Sequence, residues 1–180
     1  MGDLVSGFVG TLALVGLGAG LALGAAWLVA RSHGSVALER TLLWTSLAVV
    51  VGTLLWWTLA LPQASVDGGG FNLVPGREIV RAARALDSPY GMINLYGNLV
   101  VFLPVGLLVA WLARGRAWTR VAWATLAGAL LSISIEFAQS AANRIADIDD
   151  VLLNTMGAFV GAWWGVLSRA LVYRWRAAGD

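Results

Sequence analysis

Cysteine and lysine are absent from this chain, histidine occurs once, and only 12% of the residues are charged. Without cysteine there is no disulfide and no thiolate metal site. His33 stands alone in a short basic loop, so it reads as a surface residue rather than a ligand. No serine, cysteine or histidine arrangement of the kind that activates a nucleophile is present. All twelve basic residues are arginine, and with the richness in Ala, Gly, Val and Trp this is the codon bias of a high-GC bacterial chain. No cofactor is expected.

What the chain has instead is apolar length. A hydrophobic fraction of 59% and a mean hydropathy of +0.77 make the bilayer its expected solvent. The 180 residues have room for about five spans of ~20 residues and are read as one integral membrane domain, 1–180. Residues 4–30 carry no charge and form the expected first span, with Gly16, Gly20 and Gly24 recurring every four positions. Residues 41–61 form the second, with Trp44 near one end and Trp56 and Trp57 near the other as interface residues. Residues 93–113 form the third, in which Pro104 removes a helix hydrogen bond. The fourth and fifth cover residues 121–139 and 150–173, the last with Gly157, Gly161 and Gly165 as a second stripe that would mate with the first. The fold class is therefore all-α, a polytopic helical bundle.

Between the second and third spans, residues 62–92 are polar. Phe71-Asn72-Leu73-Val74-Pro75 is a compact piece able to tuck back against the membrane. After it Arg77, Arg81 and Arg84 fall at i, i+4 and i+7, the pattern of a short helix lying in the interface. Its arginines are suited to phosphate groups or to anchoring by lipid headgroups.

Four of the ten acidic residues lie in one connector, as Glu136, Asp147, Asp149 and Asp150. With five spans, four arginines fall on the side of this connector and eight on the other, so the arginine-rich side faces the cytoplasm and the N-terminus lies outside. Asn72, Arg77, Asn94, Asn98, Glu136, Gln139, Arg144, Asp147, Asp150 and Asn154 then gather at the outer face, the span residues within about 10 Å of the interface. A carboxylate within a span is costly, about 3 kcal/mol on insertion scales, and Arg144 is the nearest basic residue in sequence to offset Glu136.

The same residues carry a family resemblance. Asn72 to Pro75, the run Gly97-Asn98-Leu99-Val100-Val101-Phe102-Leu103-Pro104-Val105-Gly106, Glu136 with Gln139, and then Arg144, Asp147, Asp150, Asn154, Gly157 and Gly161 resemble the VanZ-like membrane proteins. The likeness covers about residues 71–165. It implies a role at the bacterial cell envelope, in some members reduced susceptibility to glycopeptide antibiotics such as teicoplanin, and it implies no defined biochemical activity.

Three functional classes stay open. In the first, the polar face is a pocket for the head of an anionic amphiphile, a lipid-linked envelope precursor or a lipoglycopeptide, with the arginines on phosphate or carboxylate and the asparagines on sugar or amide groups. In the second, Glu136, Asp147 and Asp150 act as acid, base or cation ligands on a lipid phosphate; Asp147 and Asp150 share a face if the helix already includes Asp147. In the third, the charges form an ion-pair and capping network, and the glycine stripes bind a second copy or a membrane-protein partner. Partners otherwise are membrane lipids, and nucleic acid is not expected.

Overall fold

The computed structural model describes residues 20, 24, 36–60, 70–86 and 89–179. The expected first span lies outside these residues apart from Gly20 and Gly24.

Four helices among the described residues are long and apolar enough to cross a bilayer, and they match the second to fifth expected spans. In hydrocarbon a helix satisfies each backbone group within the segment, so uninterrupted Leu, Val, Ala and Trp sequence goes into helix. In chain order, α1 (Val36–Leu55) runs on through a π-helical turn, Trp56–Ala60, and is followed by the short strand β1 (Gly70–Asn72). Next come the interfacial helix α2 (Arg77–Arg84), a single turn α3 (Pro89–Met92), a π-helical turn at Ile93–Gly97, and α4 (Asn98–Leu112). Then follow α5 (Ala117–Ala141), β2 (Ile145–Asp147) and α6 (Ile148–Gly179). The protein is an all-α bundle whose two three-residue strands pair with each other, parallel, with Gly70 opposite Ile145 and Asn72 opposite Asp147.

The outward faces of the long helices are apolar. On α5, Trp123, Leu126, Leu130, Ile133 and Phe137 are exposed at spacings of three and four; on α6, Leu152, Met156, Val160, Trp164, Leu167 and Leu171 are too. Apolar stripes of this length on a protein surface are faces for lipid. Inside, Phe102, Val105, Leu108 and Trp111 of α4 pack with Leu43, Val50 and Leu54 of α1, Ile135 of α5 and Ala158 of α6. Pro104 is buried within α4.

The closest approach in the bundle is between α4 and α6, which run in the same direction. Gly157, Gly161 and Gly165 lie against the backbone of Leu99, Leu103 and Leu107, and Gly106 of α4 lies reciprocally against the carbonyl of Ala158. A Cβ on any of these glycines would occupy the same space as a backbone carbonyl. The second glycine stripe is therefore real, but its mate is α4 and not the first span as expected. Among the described residues, a Cβ at Gly20 or Gly24 would meet nothing within 4 Å. The last helix also starts two residues before its expected bound and extends past Tyr173 to Gly179.

Substituting Gly161→Val should force α4 and α6 apart and cost about 1–3 kcal/mol or more, while Gly52→Ala, in open space, should be near neutral. Thermal unfolding of the two variants in detergent, read by tryptophan fluorescence, measures the difference.

Candidate functional site

Most of the chain's unusual polar residues meet at the end of the bundle where α5 stops and α6 starts. The turn between them is set by Asn143, the described non-glycine residue with positive φ (57°), whose N–H donates to the Ser140 carbonyl at 3.1 Å. Asparagine tolerates this left-handed geometry after a helix, and it redirects the chain. Arg144 then donates its own N–H to the Gln139 carbonyl at 3.1 Å. Three residues of β2 follow, and α6 begins.

Each carboxylate in this region is held by named donors. Glu136, buried near the end of α5, accepts the backbone N–H of Asp147 at 2.8 Å. Asp147 accepts from the Asn72 side chain at 2.9 Å through one oxygen and from the Asp149 N–H at 2.9 Å through the other. Asp150 accepts from the Asn98 side chain at 2.5 Å. One turn deeper in the bundle, the Asn154 side chain donates to the Ser132 hydroxyl at 2.9 Å.

Asp149 has the most consequential position. It is 1% exposed and reaches from the first turn of α6 to the start of α2. There it accepts the N–H groups of Gly76 at 2.6 Å, Glu78 at 2.7 Å and Ile79 at 3.2 Å. The reason lies in the α2 sequence. Its N-cap is Gly76, at φ 83°, a conformation for which glycine is suited, and no side chain of the helix's own caps it. The first N–H groups of a helix need acceptors, and here one carboxylate, distant in sequence, supplies them together with charge of the right sign for the helix dipole. The Asn72–Asp147 pair and the β1–β2 ladder fix the same segment from its other end.

The structure differs from expectation at two points. Arg144 does not form an ion pair with Glu136: its guanidinium donates to the Thr58 carbonyl at 2.9 Å, beside Gln139, whose side chain donates to the same oxygen at 3.3 Å. That carbonyl belongs to the π-helical turn Trp56–Ala60 that follows α1. Burial lowers the Arg144 pKa from its ordinary value, and the Glu136 and Asp150 carboxylates act in the opposite direction. Second, α6 begins at Ile148, so Asp147 is in a strand and does not share a helix face with Asp150. Among the described residues no group of three or more histidine, aspartate or glutamate side chains is placed to hold a metal ion.

Of the residues singled out from the sequence, Asn72, Asn98, Glu136, Gln139, Arg144, Asp147 and Asp150 are joined in this network, and Asn154 lies beneath it. Asn94 is half-buried one turn before Asn98. Arg77, Arg81 and Arg84 stand apart on the exposed side of α2, with Glu78 3.4 Å from Arg81. Sequence reasoning missed Asp149 and Thr58. The signal for Asp149 was a helix opening at Gly76-Arg77 with no Ser, Thr, Asp or Asn to cap it; Thr58 acts through its backbone and left none.

The fold and this cluster define a polytopic helical membrane protein whose interfacial helix is fastened to one end of the bundle by carboxylates. Comparison with known families matches residues 41–169 to VanZ/LLP1, a stretch that runs from within α1 through most of α6. The chain belongs to the VanZ/LLP1 family. No curated protein and no solved structure matches it.

Replacing Asp149 by Ala removes the acceptor for three amides at once, at about 1–3 kcal/mol for each group left unsatisfied. Hydrogen–deuterium exchange should show residues 76–79 exchanging much faster, with the centre of α4 unchanged. Asp149→Asn, which keeps an acceptor oxygen, should fall between.

Proposed function

We propose that the protein is a bacterial cell-envelope membrane protein that holds the anionic head of an amphiphile at the α2 end of its bundle. The carrying observation is the way α2 is presented. Asp149 pins its N-terminus, while Arg77, Arg81 and Arg84 remain exposed beside exposed apolar residues, Phe71, Leu73, Val74, Val80 and Leu86. Apolar residues of this kind enter the boundary between headgroups and acyl chains, and guanidinium groups at that depth meet phosphate or carboxylate.

Supporting the same reading, the carboxylates beneath α2 are engaged by amides and asparagines, so they orient the segment rather than offer an acidic surface. The distribution of arginine supports an outward position for this end, with the opposite end in the cytoplasm. Suitable occupants are a lipid-linked envelope precursor or a lipoglycopeptide. Through either, the protein would contribute to glycopeptide resistance, the association that its family carries. Lipid binding here requires no catalytic group.

Mass spectrometry of lipids retained in gentle detergent tests this on the natural chain, on the triple variant Arg77→Ala, Arg81→Ala, Arg84→Ala, and on Arg144→Ala. One anionic envelope lipid should be enriched in the natural chain and reduced about a hundredfold in the triple variant. If the profiles match while all the proteins stay folded, the α2 face is only an anchor, and the carboxylate network is a scaffold that joins α5 and α6.

A further inference from the structure

The opposite end of the bundle carries an arrangement that the α2 reading does not use. Helix α4 ends at Leu112, and a helix C-terminus leaves its last carbonyls without partners. The Val109 carbonyl is taken by the Ala113 N–H at 2.8 Å. The next two are taken by arginines from two other helices. Arg120 of α5 donates through Nε to the Ala110 carbonyl at 2.7 Å. Arg169 of α6 donates through Nη1 to the Trp111 carbonyl at 2.7 Å and to that of Ala113 at 3.2 Å.

Two guanidinium groups thus converge on one helix end, within electrostatic range of each other. The partial negative charge of a helix terminus is about half an elementary charge, well short of two cations. Arg120 is only 8% exposed, and its Nη2 is buried with no hydrogen-bond partner among the described residues. A buried guanidinium with an unmet donor is costly, and negative charge placed near it offsets part of that cost. The surroundings set the depth. Trp118 and Trp175 are exposed, Trp118 meets Trp163 edge to face, and Arg169 lies 5.4 Å from the Tyr173 ring centre, the aromatic and arginine belt of a bilayer interface.

We propose that Arg120 and Arg169 form a binding site for the phosphate of an anionic phospholipid in the leaflet at this end. The phosphate oxygens accept from the Arg169 donors that α4 does not use, the enclosed Arg120 guanidinium adds its charge behind them, and the lipid neutralises a pair of like charges that the helix terminus alone does not balance. The site shares no residue with the α2 face and stands whether or not that face binds an amphiphile.

Native mass spectrometry of the full chain from nanodiscs of phosphatidylglycerol and of phosphatidylcholine, with inorganic phosphate as a competing arm, tests the proposal. The natural chain should retain one phosphatidylglycerol that phosphatidylcholine does not replace. Arg120→Gln should weaken it about tenfold or more, while Arg114→Gln, on the exposed neighbouring loop, leaves it within about twofold. If Arg120→Gln does not fold, Arg169→Lys, which keeps the charge but loses the fork, should still weaken retention about threefold or more. Unchanged retention in a folded Arg120→Gln or Arg169→Lys protein would overturn the site. Displacement of the lipid by millimolar inorganic phosphate would overturn its assignment to a lipid headgroup.

Discussion

The contact on which the rest depends is that of the α4 backbone with the α6 backbone. Three glycines of α6, one turn apart, admit the carbonyls of Leu99, Leu103 and Leu107, and Gly106 returns the arrangement against Ala158. Dispersion contacts and backbone complementarity hold membrane helices together where hydrophobic burial cannot distinguish a helix from a lipid. Because the two helices run in parallel, their N-terminal ends share one side of the bundle and their C-terminal ends point to the other. Positive helix ends attract carboxylates and negative ends attract guanidinium groups. The chain is polarised accordingly: Asp149 and Asp150 stand in the first turn of α6, and Arg120 and Arg169 close the end of α4.

The carboxylate cluster gains its meaning from that frame. A two-turn helix such as α2 has little stability of its own, since most of its amides lie in the unsatisfied first turn. Docked by Asp149 at one point and by Asn72 and the strand ladder at another, it becomes a fixed part of the bundle end rather than a loop drifting over it. Glu136 serves the same purpose from beneath, because it holds the Asp147 amide and so the strand itself. These charges are hydrogen-bonded to backbone and amide groups, not matched one to one with cations.

Much of this was legible in the residues. Long apolar runs marked the four described spans to within a few positions, and the spacing of Arg77, Arg81 and Arg84 gave the interfacial helix. The polar residues gathered at one end as the alternation of spans requires. What escaped was long-range pairing. A three-residue parallel ladder between residues 70–72 and 145–147 has no local period to announce it, so the sequence leaves open whether Asp147 belongs to the helix. The glycine spacing showed that a backbone would approach but carried nothing about which backbone, and α4, rich in Leu and Val, gives no matching stripe. Glu136 finds in Arg144 its nearest basic residue in sequence, whereas the Thr58 carbonyl that Arg144 meets is a backbone group and cannot be seen in a side-chain pattern.

The Asp149 clamp also bears on the order in which the molecule is made. The amides it accepts precede it in the chain by 73, 71 and 70 residues. When residues 70–86 leave the ribosome, neither the carboxylate nor the strand that will hold them exists, and two further spans must be threaded into the bilayer first. Until then the segment has only water and headgroups as partners, and its arginines keep it at the surface. Completion of the turn between α5 and α6 is therefore the event that converts a surface segment into a structural part, so assembly of this end is tied to the arrival of α6.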